Sequence, residues 1–221
     1  MLCFRFALSL HRNHNNLIPQ IDIRYEKDFI GIIILFGIIS CNTKSTQRPN
    51  SNSRKIDSIY LQPYQDFSIG EANNLVPRIQ KGLNKVYGNN FIIKVLPQKS
   101  IPKSAFYAPR NRYLANVLLT DLNCNSNVYI IGLTHKDISY AIHGFNNYGI
   151  MGLTSLGKNK SIVSDYRVGA DDFIAVILHE FGHGYYSAKH CTNPKCIMCD
   201  YQKHKGKPFV YKLCKEHSYM K

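Results

Sequence analysis

Apolar residues recur at helical spacing through residues 71–87, with polar residues between them. The apolar positions on the shared face are Leu75, Ile79, Leu83 and Val86. This periodicity predicts an amphipathic helix, because residues three and four apart lie on the same side of a helix. Pro77 has no backbone N–H, so it is expected near the start of that helix.

Short apolar runs before and after this segment predict strands. They cover residues 56–61, 91–96, 128–133 and 162–167. Residues 113–122 are expected to be helical, and the glycine-rich stretch 144–157 is expected to form a short strand or loop. This order of elements predicts an α/β layer with a mixed twisted β-sheet.

A further apolar run, DDFIAVILHEFGH, extends from Asp171 to His183. Its two acidic residues suit the positive end of a helix dipole, and the apolar residues after them predict a buried helix. Gly184 follows and is expected to end the helix and turn the chain. This helix carries the residues with the clearest chemistry in the sequence.

His179 and His183 are four residues apart in this predicted helix. They therefore share one face and can direct both imidazoles at one metal ion. Glu180 lies one residue further round, where it stays out of the first coordination shell but reaches a metal-bound water as general base. Because catalytic zinc usually takes three protein ligands, a third is needed, and His190 is the candidate.

From His179 onward the sequence resembles the archaemetzincins, whose pattern is HExxHxxGxxHC, then x4-C-x-M, then a final CxxC. The matching residues are His179, Glu180, His183, His190, Cys191, Cys196 and Met198. The resemblance covers about residues 56–217. It implies a metzincin-like fold with a mixed twisted β-sheet, an active-site helix and a small C-terminal subdomain stabilised by zinc on Cys and His. Met198 would then be the Met-turn residue beneath the metal-binding histidines.

The chain departs from this pattern in two places. His190 lies eleven residues after His179 rather than ten, and the family's glycine in that turn is missing. The final CxxC is replaced by Cys214 and His217. Since imidazole and thiolate both bind zinc well, the second change is compatible with a Cys3His site.

The resemblance and the cysteine spacings together predict a second, structural zinc site. Its expected ligands are Cys191, Cys196, Cys214 and His217. Cys199 is an alternative ligand, and disulfide bonds are the competing interpretation if the protein works outside the cytoplasm. Two zinc ions per chain are therefore expected, one catalytic and one structural.

The motif and the resemblance imply a zinc metallopeptidase that acts on a peptide or protein substrate. His179, His183 and His190 would hold the ion, and Glu180 would act as general base. Two rival functions remain. The longer loop before His190 leaves open a non-catalytic, membrane-tethered binding module, and the basic cysteine cluster leaves open a nucleic-acid-binding zinc module, although no nucleic-acid partner is expected. The protein is expected to be a monomer.

An apolar run of about eleven residues ends in Ser40 and Cys41. It is shorter than the ~20 residues of a membrane-spanning helix and fits the core of a signal peptide. The small residue before Cys41 resembles a lipobox, so Cys41 is the predicted lipidation site. The alternatives are a buried strand or an uncleaved anchor helix.

This interpretation divides the chain into a signal segment (1–40), a flexible polar tether (41–55) and a metalloprotease domain (56–221). The protein would be anchored by lipid to a bacterial cell membrane and face the periplasm or exterior. The formal net charge of +14 suits an anionic membrane surface. His135 and His143 are isolated and are interpreted as structural or solvent-facing residues.

Overall fold

The computed structural model describes residues 56–123, 127–142, 145–200 and 208–221. The predicted signal segment, Cys41 and the predicted tether lie outside these residues, and so does His143. Within the described ranges, every helix is too short or too polar to cross a membrane.

Nine strands and three α-helices are found in the described part of the chain. In chain order they are β1 (Ser58–Pro63), α1 (Ile69–Tyr87), β2 (Ile92–Val95), β3 (Phe106–Tyr107), β4 (Arg112–Leu114), α2 (Ala115–Asp121), β5 (Val128–Thr134), β6 (Ile138–Ile142), β7 (Phe145–Ile150), β8 (Gly152–Ser155), β9 (Lys160–Ser164) and α3 (Ala170–Tyr186). Short 3₁₀ helices cover Lys103–Ala105, Ala108–Arg110 and Lys215–Met220.

The strands of the described residues form two mixed sheets. One has the order β2-β1-β5-β9-β8, in which β8 alone runs antiparallel to its neighbour. The other has the order β3-β4-β6-β7 and combines a parallel pair with two antiparallel pairs. The predicted α/β fold with a mixed sheet is confirmed, and β8 lies at one edge of the larger sheet.

Helix α1 begins at a capping box. The Ser68 side chain accepts a hydrogen bond from the backbone N–H of Glu71, and the Glu71 carboxylate accepts one from the backbone N–H of Ser68. The helix ends at Gly88, whose φ of 71° is left-handed. Pro77 is inside the helix rather than near its start, which is tolerated because this side of the helix faces solvent, where water can bind the carbonyl that has lost its donor.

Helix α3 is buried along most of its length, as predicted, but it does not end at Gly184. It continues to Tyr186 and is capped by Ser187 in the left-handed conformation. Gly184 instead allows close packing, since a Cβ there would overlap the Tyr129 hydroxyl on β5. The same helix contacts α1, where a Cβ on Gly82 would lie 2.7 Å from Leu178.

Three other predictions differ in detail from the structure. The predicted helix at 113–122 starts two residues late, because Tyr113 and Leu114 pair with β6 as part of β4. The glycine-rich stretch forms β7 and β8, joined at Met151, and the strand predicted at 162–167 is β9, shifted toward the N-terminus. Strand pairing overrides local pattern in each case.

Candidate active site

Three imidazoles converge where α3 meets the loop that follows it. The Nε2 atoms of His179, His183 and His190 are each 3.0 Å from the other two. His179 and His183 lie one turn apart on α3, and His190 returns from the loop, so the extra residue in that loop does not keep His190 away. His179 is buried, His183 is half-buried and His190 is exposed.

Backbone carbonyls orient two of these rings. His179 Nδ1 lies 2.7 Å from the carbonyl of Ile197, and His183 Nδ1 lies 2.6 Å from that of Ala188. An Nδ1–H must donate to each carbonyl, so Nε2 of both rings carries the lone pair that can bind a metal ion. The sequence motif supplies the histidines but does not reveal these carbonyl partners.

The three-histidine cluster suits zinc. Burial lowers the pKa of both His183 and His190, which favours the neutral form that binds metals. Three neutral lone pairs directed at one point repel each other unless a cation lies between them. Zn–N distances of about 2.0–2.1 Å in a tetrahedral site place ligand nitrogens about 3.3 Å apart, close to the spacing found here.

Glu180 lies beside this cluster, with its side chain between α3 and the edge strand β8. A Cβ on Gly152 would lie 2.6 Å from Glu180 Oε1, so only glycine lets the strand approach so closely. Thr154 donates a hydrogen bond of 2.5 Å to Glu180 Oε2. Burial raises the pKa of Glu180 to about 7, although the Thr154 hydrogen bond and His190 act in the opposite direction.

A chain of hydroxyl groups continues from Thr154 into the core. Thr154 Oγ1 is 2.9 Å from Ser161 Oγ on β9, which is 2.5 Å from the hydroxyl of Tyr129 on β5. The Tyr129 hydroxyl also lies 3.1 Å from the carbonyl of Glu180. These three residues were missed by sequence reasoning, because only the alignment of β8, β9 and β5 brings them together.

A second cluster contains Cys191, Cys196, Cys214 and His217, whose ligand atoms all lie within 4.8 Å of one another. His217 Nδ1 is 3.3 Å from Cys214 Sγ and 3.6 Å from Cys196 Sγ. Cys199 is buried nearby but is not part of this group. The four described cysteines are free thiols, so the disulfide interpretation finds no support among them.

The second cluster also suits zinc, because three thiols and one imidazole Nδ1 meet within bonding reach of one ion. Burial raises the pKa of Cys196 to about 12. Burial also acts to raise the pKa of Cys214, but hydrogen bonds with the side chain and backbone of His217 outweigh it and hold that pKa at about 7. His217 Nε2 donates to the carbonyl of Lys189, which fixes the ring with Nδ1 toward the thiols.

Met198 packs beneath the histidine-bearing helix. It is fully buried, and a Cβ on Gly182 would lie 2.5 Å from its Sδ. Its carbonyl accepts a hydrogen bond from the Cys191 backbone N–H. Met198 therefore contacts both α3 and the loop at Cys191, and its role as a Met-turn residue stays a prediction.

A cavity of about 730 Å³ opens over the three-histidine cluster. Its walls include all three histidines, Glu180, the strand β8 from Gly152 to Thr154, and the charged side chains Arg167, Lys189 and Asp200. The cavity is large enough to hold several residues of a peptide.

The chain matches no model of a known protein family. It is 28% identical to the archaemetzincin of Pyrococcus horikoshii over 152 residues, which span 58% of this chain and 77% of that protein. The crystal structure of the archaemetzincin of Archaeoglobus fulgidus, a complex with malonate, matches with a TM-score of 0.57 and 26% identity over 74% of this chain and 99% of that one. The chain is similar to the archaemetzincins.

Two more distant structures share the archaemetzincin fold. One is the archaemetzincin of Methanopyrus kandleri, with a TM-score of 0.62 and 21% identity over 76% of this chain and 94% of that one. The other is a zinc-dependent peptidase of Methanocorpusculum labreanum, with a TM-score of 0.57 and 18% identity over 74% of this chain and 99% of that one. The archaemetzincin resemblance and the fold predicted from it are confirmed.

Proposed function

We propose that the protein is a zinc-dependent metallopeptidase. The observation that carries this proposal is the convergence of three imidazole Nε2 atoms beside a buried carboxylate in a peptide-sized cavity. His179, His183 and His190 would hold the ion and leave its fourth position open toward the cavity. The similarity to archaemetzincins supports the same activity.

Zinc bound there would polarise a scissile carbonyl and lower the pKa of a bound water toward ~7. Glu180 would accept a proton from that water and return it to the leaving amine. Its raised pKa suits both transfers, since a base near neutrality releases a proton as readily as it takes one. Thr154 fixes Oε2, whereas Oε1 makes no hydrogen bond to any described residue and is free to face the reacting atoms.

The edge strand β8 offers a binding surface for an extended peptide. It pairs with β9 on one side, and within the described residues no strand covers its other side. Gly152, Leu153 and Thr154 of this strand line the cavity. A substrate peptide added along this edge would pass directly over Glu180 and the three-histidine cluster.

The test is cleavage of a library of fluorogenic peptides by the full chain loaded with zinc. Cleavage should stop when a chelator removes the metal and return when zinc is added back. Glu180→Gln should retain zinc and lose cleavage. Equal cleavage by wild type and Glu180→Gln would contradict the proposed role of Glu180, and absence of bound metal would contradict the proposal as a whole.

The second cluster is proposed to hold a structural zinc ion on Cys191, Cys196, Cys214 and His217. Its ligands form a closed Cys3His set, and its cysteines and histidine lie mostly buried, away from the cavity. Elemental analysis of the purified chain should find two zinc ions. One ion, retained after Cys214→Ser, would contradict this second site.

Lipid anchoring through Cys41 is a separate proposal that rests on the sequence. Residues up to Ser40 would be removed as a signal segment. The domain after residue 55 would act as a monomer, anchored to a bacterial cell membrane and facing the periplasm or exterior. Metabolic labelling with a radioactive fatty acid in a bacterial host tests it. Label on wild type and not on Cys41→Ala is expected, and an unlabelled wild type would contradict it.

A further inference from the structure

Arg167 is a charged residue of the cavity wall that the proposed catalytic chemistry does not use. It follows β9, in the turn that leads to α3, and its side chain is 33% exposed. Its guanidinium packs against β7, where a Cβ on Gly149 would overlap it and would lie 2.8 Å from its Nε. Only a glycine at position 149 leaves room for this side chain at the cavity.

Asp137 holds the Arg167 guanidinium in a fixed plane. Arg167 Nε donates to Asp137 Oδ1 at 2.8 Å, and Nη2 donates to Oδ2 at 2.7 Å. Such a paired contact fixes the orientation of the planar fork as well as its position. The Arg167 guanidinium therefore has a fixed orientation in the absence of a ligand.

The Asp137 carboxylate does not cancel the positive charge of Arg167, because the same carboxylate also pairs with a second arginine. Arg112 Nε donates to Asp137 Oδ2 at 2.8 Å, and Arg112 Nη1 donates to the carbonyl of Asn147. Two cations thus surround one carboxylate. Among the described residues, Arg167 Nη1 has no hydrogen-bond acceptor, so its two N–H groups can donate to a ligand.

The short chain segment from Gly149 to Gly152 determines how far Arg167 lies from Glu180, the proposed general base. Arg167 packs on Gly149, and Glu180 packs on Gly152. Gly149 and Gly152 are three residues apart with a bend at Met151 between them, so their Cα atoms lie no more than about 10 Å apart, the length of about three residues of an extended peptide. A substrate lying along this wall would bring its second or third residue from the cleaved bond to Arg167.

We propose that Arg167 is a carboxylate-binding subsite of the cavity, which favours peptides with a carboxylate two or three residues from the cleaved bond. The inference rests on the proposed peptidase function and adds a substrate class to it. The carboxylate has two possible sources, an acidic side chain or the free C-terminus of the peptide. If the peptide runs antiparallel to β8, its C-terminal side lies at Arg167.

The experiment compares cleavage of matched peptides by the full zinc-loaded chain. Peptides with blocked ends carry Glu or Gln at the second or third residue on either side of the cleaved bond, and a further peptide carries Gln and ends at that position in a free carboxylate. Wild type should favour Glu over Gln at one position by about tenfold in kcat/KM, the effect of one hydrogen-bonded charge pair. Preference for the free-carboxylate peptide alone would assign the subsite to a C-terminus.

Arg167→Gln should remove this preference, because it lowers kcat/KM for Glu peptides by about tenfold more than for Gln peptides. Arg167→Lys should retain only part of it, because lysine keeps the charge and loses the planar fork. Lys94→Gln removes a positive charge from β2, the opposite edge of the sheet, and should keep the full preference. Melting temperatures of all variants show whether each one is folded.

A purely structural role of Arg167 predicts another result. Arg167→Gln would then lower the melting temperature and reduce cleavage of Glu and Gln peptides by the same factor, which would overturn the inference. Equal cleavage of all peptides by wild type would also overturn it. If no peptide is cleaved at all, the proposed function fails, and the inference is then judged by calorimetry: tighter binding of Glu peptides in wild type than in Arg167→Gln supports it, and equal or absent binding contradicts it.

Discussion

His179 and His183 stand on a continuous buried helix, whereas the four residues of the second cluster stand on loops and a terminal 3₁₀ turn. Helix α3 buries eleven of its residues in the core. The segments around the second cluster pair only through the isolated bridge between Cys191 and Cys199 and a few backbone hydrogen bonds. The helix is stabilised by its own backbone hydrogen bonds and by apolar burial, whereas the loops lack a regular pattern of backbone hydrogen bonds.

This difference predicts different dependence on metal. Apolar burial supports α3 whether or not an ion is bound, since each fully buried aliphatic side chain contributes about 1.5–3 kcal/mol. The loop segments bury Ile197, Met198 and Met220 in the core, but they lack the regular backbone hydrogen bonds of a helix, so their order depends more strongly on the ligand bonds. His179 and His183 are therefore expected to keep their places on α3 without zinc, whereas the second cluster is expected to lose order.

Hydrogen bonds also connect the loops of the second cluster to the three-histidine cluster. His217 of the second cluster holds the carbonyl of Lys189, the residue before His190. Ile197, which lies between Cys196 and Met198, supplies the carbonyl that orients His179. The second cluster thus shapes the first.

The largest effect is expected from Cys214→Ser. Loss of the second ion should reduce bound zinc to one or fewer per chain and lower the free energy of unfolding by about 4 kcal/mol, the contribution of a ligand at a thousandfold its Kd. Peptide cleavage should fall too, because His190 loses its support. Elemental analysis, chemical denaturation and a cleavage assay measure the three quantities.

His190→Ala is the matched variant for this comparison. It should release the catalytic ion alone, keep one zinc per chain and change the free energy of unfolding far less than Cys214→Ser. Equal destabilisation by the two variants would show that the clusters do not differ in the way their elements suggest. Retention of both ions in His190→Ala would remove His190 from the ligand set.

Glu180→Gln should separate catalysis from metal binding. The amide keeps the size of the side chain but cannot accept the proton, so kcat should fall by about 10²–10⁴-fold. Both zinc ions should remain, because Glu180 is not a proposed ligand. Loss of zinc from this variant would mean that its carboxylate contributes to the ion's coordination.

The side chains of both clusters can be picked out from the sequence more readily than the backbone groups that orient them. Four-residue spacing on a helix is a local property, so the positions of His179, His183 and Glu180 follow from it directly. The Cys/His grouping follows from the resemblance together with ligand chemistry. Nothing local indicates that Ile197 and Lys189 contribute carbonyls, since their roles arise only when distant loops meet.

The wrong secondary-structure predictions also arise from contacts between residues that are distant in the sequence. Gly184 is a typical helix stop, yet here it makes room for Tyr129. Arg112, Tyr113 and Leu114 form β4 because β3 and β6 lie beside them. Tertiary contacts also explain why Thr154 and Ser161 could not be predicted: they belong to neighbouring strands whose register pairs them.

Thr154→Val tests whether the hydroxyl next to Glu180 positions it. Valine keeps the shape of threonine and removes the hydrogen bond to Oε2, so kcat should fall by about tenfold while KM changes little. Thr154→Ser keeps the hydroxyl and should restore most of the activity. Metal content should stay at two ions in both variants. Equal loss in Val and Ser variants would point to packing of the threonine methyl group instead.

The smallest effect concerns His135, which belongs to neither cluster and therefore provides a reference for pH dependence. It lies 2.8 Å from Asp165 and 3.5 Å from Glu71, and its ring stacks on Phe67. Partial burial acts to lower its pKa, but the two carboxylates outweigh this and leave the pKa raised above 6.5. The protonated ring thus stabilises the fold at low pH, and this contribution disappears as pH rises through the raised pKa.

His135→Gln should therefore destabilise the protein more at pH 5.5 than at pH 8.5. The difference should be small, about 0.5 kcal/mol, because the His135 side chain is 35% exposed and solvent screens the pair. Denaturation of wild type and variant at both pH values measures it. Acid also releases zinc from both clusters, but that loss is common to the two proteins and cancels in their difference. If the difference in free energy of unfolding between wild type and variant grows with pH instead, the stacking of the neutral ring on Phe67 contributes more than the charge of the protonated ring.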